Sequence, residues 1–151
     1  MLDVETPAPD FSLQDQNGNT VTLSDLEGQP VVLYFYPRAD TPGCTKQACS
    51  FRDSWEQFQE HNITVLGISN DPVENLINFA EDYDLPFTLL SDENGEVATK
   101  YESYGDIEIE GETYDIALRN TYVIDSDGNI QSVYEDVSPE NHAEDILDDL
   151  I

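Results

Sequence analysis

Two cysteines, Cys44 and Cys49, offer the clearest chemistry in this chain of 151 residues, which contains no other cysteine. Cys44 follows Pro42 and Gly43, residues that suit a tight turn, and it stands where a helix is predicted to begin. The positive end of the helix dipole and its unpaired N–H groups favour a negative charge at that position. Because the thiolate is the nucleophilic form of cysteine, we predict a reactive thiol at Cys44.

The spacing between the two cysteines limits how they can pair. On a regular helix the Cα atoms of residues i and i+5 lie about 8.6 Å apart, whereas a disulfide needs roughly 7 Å or less. Either the two thiols never pair, or the helix unwinds when they do, so a permanent structural disulfide is disfavoured. A metal site is also disfavoured, because neither His61 nor His142 stands at a ligand spacing from them.

Basic side chains are concentrated near the first cysteine. Arg38, Lys46 and Arg52 are three of only five lysines and arginines in the chain. Since cations are so scarce elsewhere, we interpret these three as an electropositive surrounding for the thiol. The alternative is that the arginines pair with their neighbours, Arg38 with Asp40 and Arg52 with Asp53.

The chain as a whole is strongly acidic, with 33 Asp and Glu, 5 Lys and Arg, and a net charge of −28. Such self-repulsion destabilises a compact fold at ordinary salt, and about 1 M salt, with a Debye length of roughly 3 Å, screens it. We interpret the composition as adaptation to a salty cytosol; the alternative is an acidic protein of an ordinary cytosol. Nucleic acid and anionic membranes are poor partners for this surface.

Length and sequence pattern predict one cytoplasmic domain over residues 1–151, since no linker or internal repeat divides the chain. No stretch approaches the roughly 20 apolar residues of a membrane span. Residues 1–5 carry neither the basic nor the apolar region of a secretory signal. In a reducing compartment, two cysteines are more often redox-active than joined in a structural disulfide.

Alternating apolar strands and helices indicate an α/β fold. Strands are predicted at 31–36, 63–69 and 86–90, and hairpins at 11–23 and 120–134. A turn and then a helix are predicted over 41–60, and further helices at 71–83, 95–101 and 138–150. Asp71 is expected to cap the second helix, and residues 104–115 to form a surface hairpin or a loop. This order predicts a thioredoxin-like fold: a mixed central sheet flanked by helices, with an N-terminal β-hairpin extension.

The segment Phe35–Asp53 resembles the active-site segment of the peroxiredoxins, and more narrowly that of the bacterioferritin-comigratory-protein, or Q-type, subgroup. The Pro-x-x-x-Thr-x-x-Cys pattern at Pro37, Thr41 and Cys44 is specific to the family. A second cysteine five residues later marks the subgroup. Further stretches that resemble the family lie at 8–11, 67–69, 85–87, 90–92 and 119–125.

The resemblance implies a role for each matching residue. Cys44 matches the peroxidatic cysteine, which attacks the peroxide O–O bond and becomes a sulfenic acid. Cys49 matches the resolving cysteine, which condenses with it to an intramolecular disulfide. Thr41 matches the threonine that bonds the thiolate and the peroxide, and Arg119 the arginine that favours the thiolate and holds the peroxide. Pro37 matches the proline that shields the thiolate from water.

The activity that the resemblance implies is a thiol-dependent peroxidase that reduces hydrogen peroxide and organic hydroperoxides without a metal, haem or flavin cofactor. It also implies a thioredoxin-like protein as the reductant, and the in-helix resolving cysteine leads us to expect a monomer. Residues 106–115 are acidic where family members carry basic residues, a departure that bears on how the reductant docks.

Two alternatives on the same fold stay open. A thiol–disulfide oxidoreductase would prefer a C-x-x-C pair, which the chain lacks. A redox sensor or holdase would bind a client protein when oxidised.

Overall fold

The computed structural model describes residues 2–39, 42–109, 111–135, 137 and 142–150. Its strands are β1 (Ser12–Asp15), β2 (Thr20–Thr22), β3 (Val31–Phe35), β4 (Thr64–Ser69), β5 (Thr88–Ser91), β6 (Tyr104–Ile109), β7 (Glu112–Ala117), β8 (Thr121–Ile124) and β9 (Ile130–Tyr134). Its α-helices are α1 (Pro42–Asp53), α2 (Trp55–Glu60), α3 (Val73–Asp82), α4 (Glu96–Lys100) and α5 (His142–Leu150). Strands and helices alternate from β3 to α4, in the order predicted.

Seven strands form one mixed sheet in the order β2-β1-β5-β4-β3-β8-β9. Strands β3, β4 and β5 run parallel, because helices connect them, and the other pairs in the sheet are antiparallel. The N-terminal hairpin extends this sheet, since β1 pairs with β5. Strands β6 and β7 pair separately and antiparallel, which is the pairing of a hairpin, one of the two structures expected for this region.

Strand β3 lies at the centre of the core, and all five of its residues are buried. The sequence of a parallel strand that is covered on both faces is a continuous run of apolar residues, and residues 31–35 form such a run. Val32 and Tyr34 belong to a buried cluster with residues of α1, α3 and α5. Leu33 and Phe35 belong to a second cluster with residues of α4 and β8. Helices therefore cover both faces of the sheet, as predicted.

An aromatic stack fixes α1 over β3. The rings of Tyr34 and Phe51 lie 4.5 Å apart at an interplanar angle of 18°, and such pairs add about 0.5–1.5 kcal/mol beyond the burial of their area. The phenol of Tyr34 reaches over β4, where a Cβ atom at Gly67 would stand 2.8 Å from it. Gly67 therefore leaves the space in which the Tyr34 ring lies, and α1 keeps a defined position relative to the sheet.

Two local predictions were wrong. The helix predicted over 41–60 is interrupted at Ser54, whose φ of −101° and ψ of 7° lie outside the α region, so Trp55 begins α2. Asp71 does not cap α3: Pro72 occupies the N-cap position, without a side-chain hydrogen bond. The carboxylate of Asp71 is bonded elsewhere, to groups brought near it by the tertiary fold. The predicted start of the last helix, at Ser138 and Pro139, lies outside the described residues.

Helix α5 packs against α1 through its first residues. Nε2 of His142 lies 2.9 Å from Oγ1 of Thr121, and the backbone N–H of Ala143 donates a hydrogen bond to Oγ of Ser50 on α1. Burial lowers the pKa of His142 to about 4, against the opposing effect of Asp145. The imidazole is therefore neutral at pH 7 and acts as a packing group. Within the described ranges, no helix has both the length and the apolarity that crossing a membrane requires.

Candidate active site

Cys44 lies in the first turn of α1, and its side chain is buried, with 1% of its surface exposed. Nη2 of Arg119 donates a hydrogen bond to its Sγ atom over 3.3 Å. Arg119 stands 75 positions later in the chain, between β7 and β8. Because β8 pairs with β3 antiparallel, the chain returns beside the strand that leads into α1. The thiol therefore lies between the N-terminal end of α1 and a guanidinium that donates a hydrogen bond to it.

Gln47 holds the guanidinium of Arg119 from the other side. Its Oε1 atom accepts a hydrogen bond of 2.9 Å from Nη1 of Arg119. Gln47 is fully buried and stands three residues after Cys44, so both side chains lie on one face of α1. The sequence analysis did not identify Gln47. Its position could have indicated a role, because a polar residue three positions after a reactive cysteine lies on the same face of the helix as the thiol.

Three further site residues were predicted: Pro37, Thr41 and Cys49. Pro37 is buried in the turn between β3 and α1. Thr41 lies outside the described residues, so its predicted contact with the thiolate stays a prediction. Cys49 is half-buried on the same helix as Cys44, and both thiols are free. Because α1 runs unbroken through both cysteines, a disulfide between them requires the intervening helix to unwind.

The guanidinium of Arg52 is bonded to Asp53 and Tyr83. Its Nε atom donates to Oδ1 of Asp53 over 3.1 Å, and its Nη1 atom donates to the carbonyl of Tyr83 over 2.8 Å. This arginine therefore ties the end of α1 to the segment after α3. The alternative interpretation, in which Arg52 pairs with Asp53, is the one that the structure shows.

The face of β3 beneath the site is buried. The hydroxyls of Tyr34 and Tyr36 and Nε2 of Gln47 are buried, and none has a hydrogen-bond partner in the described part of the chain. Burial, with smaller contributions from Tyr36 and the two cysteines, raises the pKa of Tyr34 well above its usual value of 10, so its phenol stays neutral. Hydrogen bonds and charges in such a low-dielectric surrounding are stronger than they are in water. The Arg119–Cys44 contact benefits from this surrounding.

No described group of three or more His, Cys, Asp or Glu side chains is arranged to hold a metal ion.

Comparison with known proteins identifies the family. Residues 4–133 match the model of the AhpC/TSA family. The chain belongs to the AhpC/TSA family. Peroxiredoxin Bcp of Escherichia coli (strain K12) is 46% identical over 140 residues, which make up 93% of this chain and 90% of that protein. Chloroplastic peroxiredoxin Q of Sedum lineare is 47% identical over 143 residues, 94% of this chain and 74% of that protein.

A solved structure extends the comparison to the fold. The bacterioferritin comigratory protein of Xanthomonas campestris, solved as a trapped intermediate or ligand complex in a study of its alkyl peroxide reduction activity, superposes with a TM-score of 0.89. It shares 26% identity, over 98% of this chain and 97% of that one. The predicted resemblance to the Q-type peroxiredoxins and the predicted thioredoxin-like fold are both confirmed.

Proposed function

We propose that this peroxiredoxin is a thiol peroxidase that reduces hydrogen peroxide and organic hydroperoxides, with Cys44 as its nucleophile. The observation that carries the proposal is the 3.3 Å contact between Arg119 and the buried Cys44 at the start of α1. The named activity of the Xanthomonas relative, alkyl peroxide reduction, supports organic hydroperoxides as substrates. The other candidate, a thiol–disulfide oxidoreductase, is disfavoured because that activity prefers a C-x-x-C pair and this chain has none.

The first step is attack of the Cys44 thiolate on one oxygen of the peroxide. An S–O bond forms and the O–O bond breaks, so Cys44 is oxidised to a sulfenic acid and the peroxide is reduced to water or an alcohol. The departing oxygen gains negative charge and takes up a proton. The guanidinium of Arg119 already lies at the thiol, so its N–H groups are placed to stabilise that charge without reorganisation. Thr41, by its resemblance to the family, is proposed to assist.

The second step uses Cys49. Its thiolate attacks the sulfur of the Cys44 sulfenic acid, an S–S bond forms, and the hydroxyl leaves as water. The intact α1 holds the two thiols too far apart, so this step follows unwinding of the helix between them. A dithiol protein of the thioredoxin type then reduces the disulfide and is itself oxidised. The surface through which this reductant docks would have to be compatible with the acidic hairpin of β6 and β7.

Mass spectrometry after one equivalent of peroxide tests the proposal directly. The wild-type chain is expected to lose two hydrogens through an internal Cys44–Cys49 disulfide and to consume peroxide continuously with a thioredoxin-like donor. Cys49→Ser is expected to stop at the Cys44 sulfenic acid and to lose turnover with that donor, because no disulfide forms within the chain. A wild-type chain that gains no internal disulfide would contradict the role of Cys49, and one that consumes no peroxide would contradict the function.

We further propose that the protein is a cytoplasmic monomer adapted to high salt. The charge of −28 carries the salt proposal. Raising KCl from low to molar concentration is expected to increase the melting temperature by at least about 3 °C, which for this size corresponds to roughly 1 kcal/mol. A melting temperature that stays level or falls over this range would indicate an ordinary acidic protein. The same samples, run by analytical ultracentrifugation, report the oligomeric state.

A further inference from the structure

The C-terminal end of β4 is hydrogen-bonded to the two chain segments that precede Cys44 and Arg119. Residues 69–71 comprise the last residue of β4, which is a buried parallel strand, and the two residues after it, and they precede α3. Parallel strands end at the same edge of a sheet, and in open α/β sheets that edge is where ligand sites form. The proposed mechanism assigns no role to these residues, yet Ser69 and Asp71 are buried polar side chains.

Asp71 holds the turn that precedes α1. Its Oδ2 atom accepts a hydrogen bond of 2.7 Å from the backbone N–H of Ala39 and another of 2.7 Å from Oγ of Ser69. Its backbone carbonyl accepts a hydrogen bond of 2.7 Å from Oγ of Ser91 on β5. Ala39 stands two residues after Pro37, in the turn that delivers Cys44 to the site. Hydrogen bonds to a carboxylate are stronger than neutral ones, so this contact defines where the turn lies.

Asn70 holds the strand that precedes Arg119. Its Oδ1 atom accepts a hydrogen bond of 2.8 Å from the backbone N–H of Ala117, and its Nδ2 atom donates one of 2.8 Å to the carbonyl of Asp92. Ala117 is the last residue of β7, fully buried, and stands two residues before Arg119. The side chain therefore ties the end of β7 to the end of β5, and so to the main sheet.

We propose that Asp71 and Asn70 are positioning residues for the peroxide reaction. Asp71 positions the turn that precedes α1 and Cys44, and Asn70 positions the end of β7, two residues before Arg119. The inference rests on the proposed function, because it concerns the geometry of the thiol and the guanidinium in that reaction. Removing either side chain leaves a backbone N–H group without its acceptor, and the freed segment shifts to find another. Catalytic contacts are sensitive to such shifts, since a displacement of about 1 Å can cost on the order of 10²-fold in rate.

Asn70→Ala tests the Arg119 side of the proposal. The second-order rate of Cys44 oxidation, followed in a stopped-flow instrument by the fluorescence of Trp55, is expected to fall roughly tenfold, the equivalent of one lost hydrogen bond. The matched control is Gln16→Ala. Gln16 also bridges two backbone groups through its side-chain amide, those of Phe87 and Leu89, but these lie at the start of β5, whereas Asn70 follows the C-terminal end of the parallel strand β4. The control variant is expected to react at the wild-type rate.

Asp71→Ala tests the Cys44 side. Oxidation is again expected to slow roughly tenfold. Asp71→Asn keeps an oxygen that can accept from Ala39, and the Ser69 hydroxyl can rotate, so this variant is expected to react several-fold faster than the alanine variant. The matched control is Asp125→Ala. Asp125 is a half-buried carboxylate that accepts the backbone N–H groups of Asp127 and Asn129 in the turn between β8 and β9, at the end of β8 opposite to Arg119, so its loss is expected to lower stability without slowing oxidation.

A double-mutant cycle separates positioning from general destabilisation. If Asn70 acts through Arg119, Asn70→Ala is expected to have little further effect on the rate in a chain that already carries Arg119→Met. Undiminished slowing in that background would overturn the role of Asn70. Asn70→Ala and Asp71→Ala rates equal to those of their controls would overturn the whole inference. In either case a wild-type chain that still reduces peroxide leaves the proposed function standing.

Discussion

Cys44→Ser is expected to abolish peroxide reduction, the largest effect of any single substitution in this chain. A serine hydroxyl is protonated at neutral pH and is a weak nucleophile without an adjacent base, whereas a thiolate attacks a peroxide oxygen directly. In enzymes that depend on a nucleophile, its removal costs up to the order of 10⁶-fold. Cys49 is not expected to replace it, because the described contact of Arg119 with a thiol is to Cys44.

The measurement is peroxide consumption with an excess of a small dithiol, which reduces either oxidised form of the protein. Cys49→Ser serves as the matched control, since it removes the other thiol from the same helix and is expected to keep the first oxidation step. Melting curves of both variants check that α1 still packs on β3, as the similar size of serine allows. Full activity in Cys44→Ser would refute the proposed nucleophile.

Arg119→Met is expected to give the second largest effect, a fall of about 10²–10³ in the rate of Cys44 oxidation, the usual cost of losing a donor to a developing oxyanion. The substitution removes both the donor to Cys44 and the donor to Gln47, with a side chain of similar length. Arg119→Lys keeps the positive charge but has no planar fork to reach both partners together, so an intermediate rate is expected.

The control for this prediction is Arg52→Met. Arg52 is an arginine of α1 whose guanidinium binds Asp53 and the carbonyl of Tyr83, so removing it deletes a cation without touching the thiol. In folded Arg52→Met, the rate of Cys44 oxidation is expected to equal the rate in the folded wild-type protein. Equal rates in Arg119→Met and the wild type would show that the guanidinium is dispensable. Equal losses in both arginine variants would point to the overall charge instead of the contact.

The sequence predicted the elements of the fold well because their signals are local or periodic. The apolar run of β3 and the turn residues of the hairpins each belong to one short segment. The cap assigned to Asp71 failed for the opposite reason. A helix cap is predicted from residues that are neighbours in the sequence, whereas the carboxylate of Asp71 accepts a hydrogen bond from the N–H of Ala39, 32 positions away. Gln47 was missed because its significance depends on a partner 72 positions away.

The sequence by itself determined where the reactive thiol stands, at the start of a helix after a buried strand, and that its partner cysteine cannot reach it without unwinding. Those conclusions follow from the spacing of Cys44 and Cys49 and from the geometry of one helix. The local sequence pattern did not single out Arg119, which only the family resemblance implied, and the contact between Arg119 and the thiol is a product of the tertiary structure. Arg52, which is near Cys44 in the sequence, is hydrogen-bonded to Asp53 and Tyr83. Arg119 contacts Cys44 because β8 pairs antiparallel with β3. Strand pairing brings distant residues into contact, and that pairing is a property of the folded sheet.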